Sequence, residues 1–167
     1  LLPRTLTVNG VSKAYAMTGW RIGYGIFPPD LLPHAERLAV NSYSCVNAAT
    51  QHATIAALSG TDDDIHHMVR AFNERRELIV RELNTVAGFR CGDPGGAFYV
   101  FVNIRKTGMT SEEFCDYLLE DSGVAMLPGT SFGQFGEGFV RICYAVGQND
   151  INDAIQRIKI SINKLNF

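Results

Sequence analysis

The sequence predicts an α/β protein that is built in two parts. Short runs rich in β-branched and aromatic residues alternate with longer segments whose apolar residues recur at helical spacing, a pattern typical of strands alternating with helices. A chain of 167 residues, 46% hydrophobic and 19% charged, is long and apolar enough to bury a core. The pair Gly60-Thr61 is the predicted hinge. We therefore expect one domain at residues 1–60 and a small C-terminal α/β domain at residues 61–167.

The first part contains two predicted strands, near residues 6–8 and at residues 21–27, on either side of a turn that is rich in small residues. Two helices follow, at residues 30–40 and 47–58. The second part begins with Thr61 and three aspartates, a pattern typical of a capped helix start with acidic residues at the positive end of the helix dipole.

That helix should run to about Asn84 with one apolar stripe, which we assign to the core. The stripe contains Ile65, Met68, Val69, Phe72, Ile79 and Leu83. Thr110 and Glu113 predict a capping box for a second helix that ends before Gly123, and a closing helix begins at Asn149. The predicted strands of this part lie at residues 89–91, 97–103, 124–127 and 139–145.

Charge and composition argue against several classes of partner. The net charge is −2 and the charges are scattered, so no basic surface for nucleic acid is predicted. No apolar run approaches the roughly 20 residues of a membrane span, and no signal-peptide pattern is present, so we expect a soluble, cytoplasmic protein. The cysteines form no Cys-x-x-Cys pair, and adjacent His66 and His67 point in different directions on a helix, so no metal site is predicted. We expect buried free thiols at Cys45, Cys91, Cys115 and Cys143.

Lys13 is the first candidate for chemistry. A free lysine amine, with a pKa near ~10.4, is a poor nucleophile at neutral pH unless it is desolvated or lies near positive charge. Small residues surround Lys13, and Arg21 follows with a planar fork of donors that suits a phosphate. An aldehyde joined to a phosphate ester would fit both groups. Taken alone, however, a lysine in such a turn is an ordinary surface residue in most proteins.

The segment resembles the cofactor-lysine signature of the fold type I pyridoxal-phosphate enzymes, and most closely the class I aminotransferases of the aspartate aminotransferase group. The matching positions are Gly10, Ser12, Lys13, Gly19, Arg21 and Gly23. The resemblance implies that Lys13 forms the Schiff base with pyridoxal 5'-phosphate and then shuttles the α-proton, while Arg21 holds the cofactor phosphate. Some relatives carry a phosphate-binding serine three residues before the lysine, and this chain has Gly10 there.

Arg141 is the second candidate, and it is the only charge in a predicted strand. Alternation places it on the same face as Phe139 and Cys143. An arginine between apolar neighbours either extends to water or finds an anion, and the residues alone leave both open. The strand resembles the one that, in the same aminotransferase group, supplies the arginine for the substrate α-carboxylate. A bidentate guanidinium–carboxylate pair is the chemistry that the resemblance implies.

The resemblance runs from about residue 6 to residue 157 and includes the Gly-Ala-Phe-Tyr strand at 94–101 and the Pro-Gly turn at 124–133. It implies that residues 1–60 end the large cofactor-binding domain. Because the chain begins without methionine and the family lysine lies past the middle of the polypeptide, we expect a C-terminal portion that is inactive alone. The resemblance also implies that the full-length protein is a homodimer that carries out transamination between α-amino acids and 2-oxo acids.

Other functions stay open on the same fold. A β-lyase, a decarboxylase or a synthase would use the same lysine, because the reaction depends on which bond of the substrate is held perpendicular to the cofactor ring. A cofactor-sensing transcriptional regulator could keep both Lys13 and Arg141. The residues do not identify the amino donor.

Overall fold

A computed structural model describes residues 2–165 and divides into two compact units, one ending at His67 and the other beginning at Met68. The ends of the two predicted domains, at Leu1, Asn166 and Phe167, lie outside the described residues. The predicted division at Gly60-Thr61 stays a prediction. The units are built from mixed helices and strands, as the sequence predicts.

The first unit contains a two-stranded antiparallel ribbon followed by two helices. Its elements are β1 (Thr7–Gly10), β2 (Gly23–Ile26), α1 (Leu32–Tyr43) and α2 (Ala48–Ser59), with a short 3-10 helix at Thr18–Trp20. Asn47 caps α2, because its side-chain oxygen accepts a hydrogen bond from the Thr50 backbone N–H at 3.2 Å. All strand pairs in the described part of the chain are antiparallel.

Helix α3 (Asp63–Leu83) begins one residue later than the sequence predicts. The Asp62 carbonyl accepts the first backbone hydrogen bond, from the His66 N–H at 2.8 Å, so Asp62 and not Thr61 occupies the cap position. The assignment of the whole apolar stripe to the core is also wrong, because Val69 is 50% exposed while Ile79 and Leu83 are buried. The buried cluster of the second unit lies against the C-terminal half of the helix.

The second unit is a four-stranded antiparallel sheet with helices packed against it. Besides α3, its elements are β3 (Arg90–Cys91), β4 (Tyr99–Asn103), α4 (Ser111–Ser122), β5 (Leu127–Pro128), β6 (Phe139–Cys143) and α5 (Gln148–Ile162). The strands lie in the order β3-β4-β6-β5 across the sheet. Short 3-10 helices lie at Arg105–Thr107, Gly129–Phe132 and Gln134–Gly136.

One face of the sheet forms the core. Val100, Val102 and Val140 are fully buried on the two central strands, in one cluster with Phe114 and Leu118 of α4. The alternation of strand residues therefore leaves the neighbours of these valines on the opposite face. Burial at this scale is the main stabilising contribution, at roughly 25 cal/mol for each Å² of apolar surface removed from water.

Helix α4 has the ends that the sequence predicts. The Thr110 hydroxyl accepts from the Glu113 N–H, and the Glu113 carboxylate accepts from the Thr110 N–H at 3.0 Å, which is a complete capping box. At the other end Gly123 is left-handed, and the Val124 N–H donates to the Leu118 carbonyl. Since Val124 belongs to this helix end, the predicted strand at 124–127 starts only at Leu127.

Glu137 lies between α4 and β6 and accepts three hydrogen bonds through one carboxylate oxygen. The donors are the Ser111 backbone N–H, the Ser111 hydroxyl and the Gly138 N–H, at 2.9, 3.2 and 2.9 Å. These donors stabilise the ionised form, so the Ser111 backbone N–H, followed by that of Gly138, holds the pKa of Glu137 below its ordinary value. The carboxylate thus ties the start of α4 to the start of β6.

The prediction of buried cysteines is half wrong. Cys91 and Cys115 are buried, and burial raises the pKa of each thiol to about 11. Cys143 is exposed because it lies on the outer face of β6, and Cys45 is exposed in the segment between α1 and α2. None of the described helices is long and apolar enough to cross a membrane.

Candidate active site

The lysine loop, residues 11–22, joins β1 to β2 and carries Lys13. Val11 and Met17 are the buried residues of this loop, and they hold it on either side of the exposed lysine. Two backbone hydrogen bonds of 3.2 Å tighten it, from the Tyr15 N–H to the Val11 carbonyl and from the Ala16 N–H to the Lys13 carbonyl. The backbone at Lys13 is therefore fixed by its neighbours while the side chain extends outward.

Arg21 ends the same loop in an unusual backbone conformation. Its φ of 53° lies in the left-handed region, which residues other than glycine and asparagine rarely adopt. The guanidinium donates from Nη1 to the Thr18 carbonyl at 2.9 Å, a local tether that fixes the side-chain direction. Strain of this kind is kept where the surrounding structure requires it, and it occurs often at ligand sites.

Two glycines of the lysine signature lie where the backbones of β1 and β2 come too close for a larger side chain. Gly10 and Gly23 are cross-strand partners. A Cβ added at Gly23 would lie 3.0 Å from the Asn9 carbonyl oxygen, and one added at Gly10 would lie 3.3 Å from that of Ile22. Gly19 has open space around it, with no heavy atom within 4 Å of an added Cβ, and so leaves the approach to the loop clear.

A cavity of about 510 Å³ opens beside Arg21 within the first unit. Its lining combines aromatic and apolar surface with one guanidinium and one amide, as expected for a site that binds a flat ring with an anionic group. The lining residues are Trp20, Arg21, Gly23, Tyr43, Cys45, Val46 and Asn47. Lys13 is not among these residues, so the fit to pyridoxal 5'-phosphate rests on the donors that the loop carries, an amine and a guanidinium, and not on this cavity.

Arg141 lies on the outer face of β6 in the second unit, half-buried between two aromatic rings. Its Cζ is 4.2 Å from the centroid of the Tyr99 ring and 4.3 Å from that of Phe132. Phe139 and Cys143 share this face, as the alternation predicts. Among residues 2–165 no ion pair or hydrogen bond to the Arg141 guanidinium is found. Its donors are thus available to an added anion.

Lys13 and Arg21 lie in the same loop of the first unit, but only Arg21 lines the cavity there, and Arg141 lies in the second unit. Sequence reasoning missed the ring partners of Arg141. Alternation along β4 could have placed Tyr99 on the outer face, but Phe132 lies in a turn without a periodic signal. Within the described residues no group of three or more potential ligands for a metal ion is found.

Similarity to known proteins covers nearly the whole chain. The sequence profile of the family described as aminotransferase class I and II matches residues 2–158. A curated aspartate aminotransferase from Rhizobium meliloti (strain 1021) is 41% identical over 97% of this chain and 42% of the relative. Putative aminotransferase YugH from Bacillus subtilis (strain 168) is 40% identical over 96% of this chain and 42% of that protein.

Solved structures agree with the sequence matches. The crystal structure of the aspartate aminotransferase from Rhizobium meliloti superimposes with a TM-score of 0.94 at 40% identity, over 99% of this chain and 44% of that one. The chain thus spans less than half the length of the relatives it matches. The fold is that of the fold type I enzymes, and the chain belongs to the aminotransferase class I and II family.

Proposed function

We propose that the protein containing this chain is a pyridoxal-phosphate-dependent aminotransferase, which transfers an amino group from an α-amino acid to a 2-oxo acid. The observation that carries the proposal is the tethered loop that holds Lys13 and Arg21 in a chain belonging to this family. The relatives from Rhizobium meliloti (strain 1021) and Pyrococcus horikoshii are both named aspartate aminotransferase. The chain spans 42% of the length of the Rhizobium meliloti relative, so the proposal concerns the longer protein to which it belongs.

Two residues of the first unit would hold the cofactor. Lys13 would bind its aldehyde carbon through the amine, and Arg21 would bind its phosphate through a guanidinium that stays charged at every working pH. Pyridoxal phosphate, when bound, supplies the electron sink that lets a substrate α-carbon lose its proton. The Nζ amine of Lys13 would accept this proton as the base and, as the acid, would deliver it to the cofactor carbon that had carried the aldehyde, which is the proton transfer that transamination requires.

Arg141 would bind the α-carboxylate of the substrate. A guanidinium and a carboxylate pair through two parallel hydrogen bonds, so the pair fixes orientation as well as position. The support is that the described part of the chain offers the guanidinium no internal carboxylate. This leaves the paired donors for a ligand.

The decisive experiment maps the lysine that binds the cofactor. The full-length protein is saturated with pyridoxal phosphate, reduced with borohydride and digested, and the peptide that has gained the mass of the cofactor is sequenced. We expect the label on Lys13, its loss in Lys13→Arg, and its retention in Lys106→Arg, which changes an exposed lysine of the second unit. Label on another lysine, or no label in the wild-type protein, contradicts the proposal.

A substrate panel then tests the reaction type. Amino acids and 2-oxo acids are supplied in pairs, and the new amino acid and 2-oxo acid are measured together. Transamination requires both products in equal amounts. Release of ammonia and a 2-oxo acid without an acceptor would instead assign a lyase.

We also propose that the whole protein is a cytoplasmic homodimer that binds neither nucleic acid nor membranes, and that its domains divide at Gly60-Thr61. Apolar side chains in the first unit are exposed, such as Val8 at 78% and Ile26 at 56%, which supports the proposal that another part of the whole protein or a second subunit covers them. Light scattering of the full-length protein measures the oligomeric state directly, and a monomer at micromolar concentration would contradict the dimer.

A further inference from the structure

Arg141 is held between two aromatic rings that come from different parts of the second unit. Its Cζ lies 4.2 Å from the Tyr99 ring centroid and 4.3 Å from that of Phe132. We propose that Tyr99 and Phe132 are positioning residues, which hold the guanidinium so that its N–H edge meets a substrate carboxylate. This inference rests on the proposed role of Arg141 in carboxylate binding.

The register of the sheet explains the first ring. Tyr99 of β4 pairs with Cys143, and Phe101 pairs with Arg141, so Tyr99 is the diagonal neighbour of Arg141 on the same face. Diagonal partners across antiparallel strands lie within reach of long side chains. The sheet register therefore places the Tyr99 ring within reach of the Arg141 guanidinium.

The second ring comes from the 3-10 turn Gly129–Phe132, which follows β5. The Phe101 ring meets the Phe132 ring edge-on, with 5.6 Å between centroids and an interplanar angle of 74°. Phe101 is opposite Arg141 in the register, so the same strand pair that places the arginine also supports its second ring. Phe132 itself is 48% exposed, which means that its ring is not needed to fill the core.

Two rings over the guanidinium have a directional effect. The five N–H donors of arginine lie in the guanidinium plane, and cation–π attraction holds the guanidinium carbon over the face of each ring. Contact with two rings therefore restricts rotation of the side chain, while its N–H donors, which make no hydrogen bond within residues 2–165, stay available to a ligand. A guanidinium held in this way loses less conformational entropy when a planar carboxylate forms two parallel hydrogen bonds with it.

The test removes each ring from the full-length enzyme with bound cofactor. Phe132→Leu and Tyr99→Leu should raise KM for the amino acid, and Ki for propionate as a carboxylate without an amine, by roughly three- to tenfold each. The kcat value should stay near that of the wild type, because binding of the ground state and of the transition state is weakened equally. Phe132→Tyr and Tyr99→Phe keep the rings and should restore both constants.

Phe139→Leu is the matched control. Phe139 lies two residues from Arg141 on the same face, but its ring covers the guanidinium of Arg105, at 4.9 Å. This variant should leave KM and Ki unchanged. A shift in KM for Phe139→Leu equal to that of Phe132→Leu would point to a general effect on the sheet and overturn the proposal.

Two further outcomes separate this inference from the proposed function. If the wild-type protein transaminates and binds propionate but both leucine variants keep its KM and Ki, the rings do not position Arg141. If the wild-type protein shows no transamination at all, the function itself is wrong. Thermal unfolding of each variant, with the midpoint near that of the wild type, confirms that the sheet is intact.

Discussion

Leu118 and Leu119 are neighbours on α4 with opposite environments, and they allow a direct test of the core. Leu118 is fully buried and Leu119 is 52% exposed. Leu118→Ala removes three carbon groups from the cluster, at about 0.8 kcal/mol each for lost burial, and leaves a cavity whose cost brings the total to about 3 kcal/mol. We expect the free energy of unfolding to fall by this amount.

For a unit of this size, each kcal/mol lowers Tm by roughly 4–8 °C, so Leu118→Ala should lower Tm by roughly 12–24 °C. The measurement is denaturant unfolding followed by circular dichroism, where the midpoint falls and the slope is unchanged. Leu119→Ala should change the free energy by less than about 1 kcal/mol, since its side chain stays half in water. Equal losses in the two variants would refute the assignment of the α4 face to the core.

Three other changes test the turn that begins at Gly129, the loss of stability at low pH and the proposed phosphate site. Gly129→Ala should unfold the turn before β6 and lower Tm strongly, because the added Cβ would overlap the Gly136 carbonyl oxygen. Gly92→Ala is the control and should leave Tm unchanged, because Gly92 has open space around it. Since its pKa is depressed in the folded state, Glu137 contributes stability above its ordinary pKa that is lost as pH falls through the folded pKa. Glu137→Gln should therefore unfold at a lower denaturant concentration near neutral pH, and its free energy of unfolding should fall less steeply than that of the wild type as the pH is lowered toward about 3. An equally steep fall in both proteins argues against the proposed role of the carboxylate. Arg21→Lys should weaken cofactor retention about tenfold in equilibrium dialysis, because an ammonium lacks the planar fork, while labelling of the Lys13 peptide at saturating cofactor persists.

Local signals in the sequence predicted local structure well. The Thr110–Glu113 capping box is observed as predicted, because both partners lie within one helical turn and need no tertiary contact. The alternation around Arg141 is also confirmed, since a strand places every second residue on one face whatever it pairs with. The family signature identified the lysine loop because its residues recur at a fixed sequence spacing, which can be recognised without any tertiary contact.

Features that depend on distant residues could not be predicted from periodicity. The exposure of Val69 follows from where the core cluster ends, and the late start of β5 follows from the hydrogen bond that Val124 makes to α4. The rings that cover Arg141 come from β4 and from a turn, and only the strand register brings Tyr99 beside it. The roles of Lys13, Arg21 and Arg141 stay predictions until the labelling and kinetic tests are done.

The close approach of Gly129 and Gly136 decides how the sequence around Phe132 can vary. The backbones of the two glycines lie in close contact, and the residues between them, such as Ser131 and Gln134, are largely exposed. Random mutagenesis should therefore recover many functional substitutions at Ser131 and Gln134 and almost none at either glycine. Substitutions of the surrounding side chains should therefore leave Phe132 in place beside Arg141, so that the surface charge of this turn can vary without displacing the ring.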